Sequence, residues 1–184
     1  MFIQTEATPN PATLKFLPGR DVLVGEPRDF RNAEMAAVSP LASGLFSVPG
    51  VTGVFLGSDF VSVSKDSTEW NHLKPAVLGI IMEHFLSGKP VIDEGNTATA
   101  EGEFFEPADS ETVEVIKELI STRVRPAVAM DGGDITFKGF RDGTVYLHMQ
   151  GACSGCPSST ATLKSGIENL LRHFVPGVEA VAQV

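Results

Sequence analysis

Both cysteines of this 184-residue chain lie in one short segment, as Cys153 and Cys156, with Pro157 directly after the second. Before them, residues 144–149 alternate between apolar and polar side chains, which predicts a strand. After them, apolar residues recur at helical spacing over residues 163–174, which predicts a helix. The first turn of a helix has unpaired N–H groups and a positive dipole end, so it favours a thiolate and lowers a thiol pKa. We therefore expect both cysteines to be placed for thiolate chemistry.

A single C-x-x-C pair is compatible with three kinds of site. As a metal site it supplies two ligands, whereas structural zinc and cubane iron–sulfur clusters take four, and a symmetric dimer would supply the other two. As a redox site it would be a thioredoxin-like dithiol, although the strands before it predict a hairpin rather than a βαβ unit. As a structural pair the cysteines would be two small buried hydrophobes, which the polar, glycine-containing surroundings disfavour. The residues favour the shared metal site and leave the other two open.

The composition limits the classes of partner. The formal net charge is −9 and the Lys and Arg residues form no cluster, which argues against nucleic acid or an anionic membrane surface. Apolar runs are only a few residues long, so we expect no membrane span. With 42% hydrophobic residues and two cysteines, the chain is typical of a folded protein in a reducing compartment.

Residues 1–88 predict a small α+β domain. Ser39 and Pro40 are typical of a helix start, and Gly88 of a helix end. The expected elements are strands at 2–5 and 13–17, an irregular polar stretch at 21–37, a helix from residue 40, a hairpin of strands 51–56 and 60–63, and a helix at 70–86.

Residues 89–109 predict a flexible acidic linker, because no strand or helix period survives there. Within it, the apolar rings of Phe104 and Phe105 could anchor the segment to a neighbouring domain. Residues 110–184 predict a second small domain in the order helix, strand, strand, helix, strand. Its segment 130–134 is interpreted as a glycine turn before a strand rather than as an acidic ion site. The fold class is therefore α+β, with two small domains joined by the linker.

Several of these segments resemble one known family. Three stretches are similar to the C-terminal NifU (Nfu) domain of iron–sulfur cluster scaffold and carrier proteins: MDGGD at 130–134, GACSGCPSS at 151–159 and LKSGIE at 163–168. Five others resemble the domain that precedes it in the bacterial and mitochondrial Nfu type: FIQT at 2–5, TPNP at 8–11, LKF at 14–16, SPLA at 39–42 and GSDFVSV at 57–63. The resemblance covers nearly the whole chain except the linker.

The resemblance implies a carrier without catalytic residues. Members of the family hold a 4Fe–4S cluster between two subunits, and the matching cysteine ligands here are Cys153 and Cys156 of each chain. The implied partners are a second copy of the chain, an upstream assembly scaffold and the apo-proteins that receive the cluster. The N-terminal domain, which has no cysteine, would serve partner recognition or positioning. A dithiol–disulfide oxidoreductase is the alternative function, and a zinc-bridged structural dimer is a third.

Two further expectations follow. The first residues contain neither a signal-peptide pattern nor a transit-peptide pattern, which is typical of a bacterial cytoplasmic member, and a trimmed mitochondrial member would look the same. Replacing Cys153 or Cys156 by alanine should abolish cluster binding and leave the fold intact, because we expect neither residue to anchor a core.

Overall fold

The computed structural model describes residues 1–93, 102–154 and 157–184, and for residues 157–159 it describes the backbone alone. The described residues form two compact units, one ending at residue 93 and the other starting at residue 102. Each unit has its own hydrophobic core. The predicted α+β class with two small domains is confirmed, while the domain boundaries at residues 88 and 110 stay predictions.

The first unit is a five-stranded sheet with helices on one face. Its elements are β1 (Gln4–Ala7), β2 (Thr13–Leu17), β3 (Arg28–Phe30), α1 (Ala33–Ala36), α2 (Pro40–Phe46), β4 (Val51–Leu56), β5 (Val61–Lys65) and α3 (Trp70–Ser87). The strand order is β1-β2-β5-β4-β3, and every neighbouring pair is antiparallel. Alternate residues of β2, β4 and β5 point to the same face and bury their side chains against α2 and α3.

Most elements predicted for this unit are confirmed. The Ser39 hydroxyl accepts a hydrogen bond of 3.1 Å from the Ala42 N–H at the start of α2, as its capping role requires. Gly88 ends α3 with a left-handed φ of 68°. The prediction of an irregular stretch over residues 21–37 was wrong, because β3 and α1 lie in it. Elements of three and four residues are too short to show a hydrophobic period.

The second unit has a three-stranded sheet. Its elements are α4 (Ser110–Leu119), a π-helical turn (Ile120–Val124), α5 (Arg125–Met130), β6 (Gly133–Arg141), β7 (Thr144–Gly151), a 3₁₀ turn (Ala152–Ser154), α6 (Pro157–Phe174) and β8 (Ala180–Gln183). The strand order is β6-β7-β8, with β6 and β7 antiparallel and β7 and β8 parallel. The predicted order of helix, strand, strand, helix, strand is confirmed. Its core lies between this sheet and helices α4, α5 and α6.

The helical path at the start of this unit continues through Pro126. Pro126 lacks an N–H and its ring would clash with the carbonyl four residues earlier. The helix widens there, and the Arg125 N–H donates to the Ile120 carbonyl, five residues back. The helical path from Ser110 to Met130 therefore keeps one face on the core despite the proline.

Part of the predicted linker pairs with the second unit. The Phe104 N–H donates to the Lys138 carbonyl at 3.0 Å, and the Phe140 N–H donates to the Phe104 carbonyl at 2.9 Å. The Phe104 ring packs against Tyr146, with ring centroids 5.2 Å apart. The anchor expected at Phe104 is present on the edge of β6. Residues 94–101, the centre of the predicted linker, lie outside the described residues.

Candidate functional site

The C-x-x-C segment lies where β7 passes into α6. β7 ends at Gly151, whose φ of 64° is left-handed, and a single 3₁₀ turn carries Cys153. α6 starts at Pro157, so the predicted transition from strand to helix at this segment is confirmed. Cys156 lies outside the described residues, and the site is described from Cys153.

The Cys153 side chain is buried in the core of the second unit. Its exposed fraction is 6%, and it is a free thiol in the same apolar cluster as Met149 and Ile167. The expectation that neither cysteine belongs to a core was therefore wrong for Cys153. The flanking Gly and Ser residues predicted a polar loop, but the 3₁₀ turn directs this one side chain inward.

Two hydrogen bonds connect the 3₁₀ turn Ala152–Ser154, which carries Cys153, to the rest of the unit. The Ala152 N–H donates to the Gly132 carbonyl at 3.2 Å, which joins the turn to the glycine turn before β6. The Thr160 hydroxyl donates to the Cys153 carbonyl at 2.9 Å, which joins it to α6. These two bonds connect the turn that carries Cys153 to its neighbours in the fold.

Burial, together with the smaller effects of the nearby carboxylates of Asp131 and Asp134, raises the pKa of the Cys153 thiol to about 12. The expected lowering of this pKa at the start of a helix is therefore wrong for Cys153. Removal of the thiol from water outweighs the dipole of α6. In the position described, Cys153 is a neutral thiol at pH 7, and it must lose its proton before it can bind a metal.

The acidic turn before β6 is held by an ion pair. The Arg125 guanidinium donates to both carboxylate oxygens of Asp134, Nε to Oδ1 and Nη2 to Oδ2, each at 2.9 Å. Asp134 is 4% exposed, so this two-point pair provides the hydrogen bonds that a buried carboxylate needs. Gly132 has a φ of 80°, which supports the interpretation as a glycine turn. Arg125 could not be identified from the sequence, because only the fold brings it to Asp134.

The histidines near the site have other neighbours. His148 Nδ1 lies 3.2 Å from the Val184 carbonyl oxygen, and His173 packs edge-on against Phe174. Within the described part of the chain, no three His, Cys, Asp or Glu side chains are grouped as a metal ion would need. No helix among residues 1–93, 102–154 and 157–184 combines the length and apolar character that crossing a membrane requires.

Comparison with known proteins agrees with this architecture. Residues 3–88 match the family model described as "Scaffold protein Nfu/NifU N terminal", and residues 116–182 match the "NifU-like domain". The whole chain is 50% identical to the human "NFU1 iron-sulfur cluster scaffold homolog, mitochondrial", covering 72% of it. It is 51% identical to the Arabidopsis thaliana "NifU-like protein 4, mitochondrial" and covers 66% of it.

The curated relatives are longer than this chain. It is 53% identical to the Drosophila sechellia NFU1 homologue, and it spans 65% of the length of that protein. A NifU-like protein from Saccharomyces cerevisiae, solved by NMR, is 28% identical over 51% of this chain and 86% of that one, with a TM-score of 0.47. The two family models follow one another in the order that the sequence motifs predicted. The chain belongs to the Nfu/NifU scaffold protein family, with an Nfu N-terminal domain followed by a NifU-like domain.

Proposed function

We propose that the protein is an iron–sulfur cluster carrier and not an enzyme. Two copies hold a 4Fe–4S cluster between them through Cys153 and Cys156 of each copy, and they deliver it to apo-proteins. The observation that carries this proposal is the position of the only two cysteines of the chain, as one C-x-x-C pair inside its NifU-like domain. The names of relatives, which include "iron-sulfur cluster scaffold homolog", support the same cargo.

The number of thiols supports a shared cluster. A cubane cluster held by thiolates takes four of them, and one chain offers two. A second copy related by two-fold symmetry provides the other two with the same geometry. A cluster held half by each copy can leave by exchange of ligands, as the thiolates of a recipient replace those of the carrier one at a time.

The raised pKa of Cys153 argues against this thiol as the nucleophile of a dithiol oxidoreductase. A dithiol oxidoreductase needs a thiol with a lowered pKa, because the thiolate is the nucleophile. Burial acts in the opposite direction on Cys153. An iron centre compensates for this, since a coordinating thiol loses its proton to the metal. In addition, a β-hairpin precedes the cysteines in place of the βαβ unit of a thioredoxin-like motif.

The remaining parts of the proposal concern partners and compartment. The partners are a second copy, an upstream scaffold that supplies the cluster, and apo-proteins that receive it. The named relatives are mitochondrial, which supports the mitochondrial compartment over the bacterial cytoplasm. We assign partner recognition to the N-terminal domain. Full transfer to every recipient after deletion of residues 1–90 would refute that assignment.

Anaerobic reconstitution with iron and sulfide, followed by gel filtration, tests the cargo and its stoichiometry. We expect about four irons and four sulfides per dimer, and none in the monomer peak. Cys153→Ala and Cys156→Ala should each abolish the cluster. Ser154→Ala is the matched control, because it changes the same turn, keeps both thiols and should load fully.

Three results would contradict the proposal. Iron and sulfide retained in both cysteine variants would place the ligands elsewhere. Absence of iron together with a disulfide that cycles between Cys153 and Cys156 would identify the oxidoreductase. Zinc at one ion per dimer in place of iron would identify the structural dimer.

A further inference from the structure

Gly133 faces the Cys153 thiol at the start of β6. It pairs with Gly151, the last residue of β7. A Cβ atom at residue 133 would lie 2.6 Å from Cys153 Sγ and 2.6 Å from the Gln150 carbonyl oxygen, closer than real Cβ contacts come. The φ of Gly133 is outside the left-handed region, so the backbone conformation does not demand a glycine. A side chain is excluded by the space that the thiol, the Gln150 carbonyl oxygen and the Cys153 backbone nitrogen occupy together.

The thiol in this space faces the interior of its own domain. Cys153 is buried beside Met149, and the bonds from Ala152 and Thr160 hold its turn against the β6 turn and α6. An iron atom shared with a second chain has to lie outside the domain, because the two further thiolates come from that chain. The inward position is therefore not one in which Cys153 could hold a cluster shared between two chains.

We propose that Gly133 is a positioning residue, which by lacking a side chain gives the Cys153 thiol an inward resting place from which it turns outward to bind the cluster. The outward step rests on the proposed function. The resting place itself concerns the cluster-free protein and can be tested without a cluster. In this position the ligand is shielded from oxidants and stray metal ions until the turn opens.

Labelling of the full-length, cluster-free protein with a disulfide reagent such as DTNB tests the resting place. In a Cys156→Ser background, Cys153 is the only thiol. We expect native Cys153 to react at least about tenfold more slowly than in denaturant, because labelling requires the turn to open. Gly133→Ala should raise the native rate by about tenfold. Gly166→Ala is the matched control, since a Cβ there meets nothing within 4 Å, and it should leave the rate unchanged.

A second variant covers the case in which Gly133→Ala does not fold. Thr160→Val keeps the shape of the side chain and removes the hydroxyl that donates to the Cys153 carbonyl. It should speed labelling about threefold, with little change in Tm, whereas a general loss of stability would change the two together.

Two results would overturn the proposal: native Cys153 labelled as fast as in denaturant, or a folded Gly133→Ala protein labelled at the parent rate. The parent chain with both cysteines, and Gly133→Ala and Thr160→Val made in that parent, are then reconstituted with iron and sulfide. A protein that shows the protected thiol but takes up no cluster would contradict the proposed function and leave the resting place established.

Discussion

At the scale of single residues, the buried carboxylate of Asp134 depends on Arg125. Arg125→Met removes the guanidinium and leaves the carboxylate buried without its cation. We expect the free energy of unfolding to fall by about 2–3 kcal/mol in urea unfolding followed by circular dichroism, somewhat below the full value for a buried pair because Arg125 is 30% exposed.

Arg172→Met is the control, since its contact with Glu168 is 3.8 Å long and more exposed. It should change stability by no more than about 0.5 kcal/mol. Equal losses in the two variants would contradict a structural role for the buried pair.

The raised pKa of Cys153 predicts how stability changes in alkali. The folded pKa is about 12, above that of an unfolded cysteine, so between the two values the folded protein holds a proton that the unfolded chain releases. The contribution of Cys153 is therefore complete below the unfolded pKa and is lost as pH rises towards 12. In a Cys156→Ala background, the free energy of unfolding should fall by up to about 1.4 kcal/mol per pH unit in this window.

The control for this measurement is the protein in which Cys153 is also replaced by alanine. Its stability should fall less steeply over the same pH range, because the thiol is gone. It should also be about 1 kcal/mol less stable near neutral pH, since the change leaves a small cavity in the core. Parallel pH profiles of the two proteins would show that folding does not raise the pKa of the Cys153 thiol.

Residues whose role is local could be predicted from the sequence, and those whose role is tertiary could not. The C-x-x-C pair and the helix cap at Ser39 each involve residues close together in the sequence, so both can be recognised from the sequence alone. The space at Gly133 is set by a turn twenty residues later, and the partner of Asp134 by the path of α5. The inward direction of Cys153 was missed because a loop of small polar residues can turn a side chain either way.

At the scale of elements, the edge of β6 is completed by a segment before α4. The Phe104 ring occupies the space above Gly139, where any Cβ would collide with it, and it packs on Tyr146. Glu103 adds an ion pair of 2.7 Å with Lys117. We expect Phe104→Ala to lower the free energy of unfolding of the full chain by about 1–2 kcal/mol, through lost apolar burial and lost ring contact.

Phe105→Ala is the matched control for this prediction. The two rings are similarly exposed, at 37% and 40%, but among the described residues Phe105 has no ring contact. Its replacement should change stability by less than about 0.5 kcal/mol. If both variants lose the same amount in thermal unfolding, the edge pairing at Phe104 contributes nothing measurable.

Long periodic elements could be predicted from the sequence, whereas short or interrupted elements could not. α3, α6 and the hairpin of β6 and β7 each contain several repeats of their period, and the turn between the two strands has Asp142 and Gly143 at positive φ, as a two-residue hairpin turn requires. The three-residue β3 pairs along the edge of β4 and depends on that neighbour. The π-helical turn before Pro126 interrupts the regular period of the first helix, and it depends on the fold around it.

At the scale of the whole molecule, the proposed carrier is complete only as a pair of chains, and the proposal expects the cluster itself to join them. A tagged double variant, Cys153→Ala with Cys156→Ala, offers no thiol ligand. Mixed with an equal amount of the unchanged protein before reconstitution, it should stay in the monomer peak, while the unchanged chains load fully. If the chains instead paired permanently through their surfaces, random pairing would give only about half of the unchanged chains an unchanged partner. Loading per unchanged chain would then fall to about half, and the tag would appear in the dimer peak. That outcome would show that the two copies pair without the cluster. The cluster could still be bound by both copies.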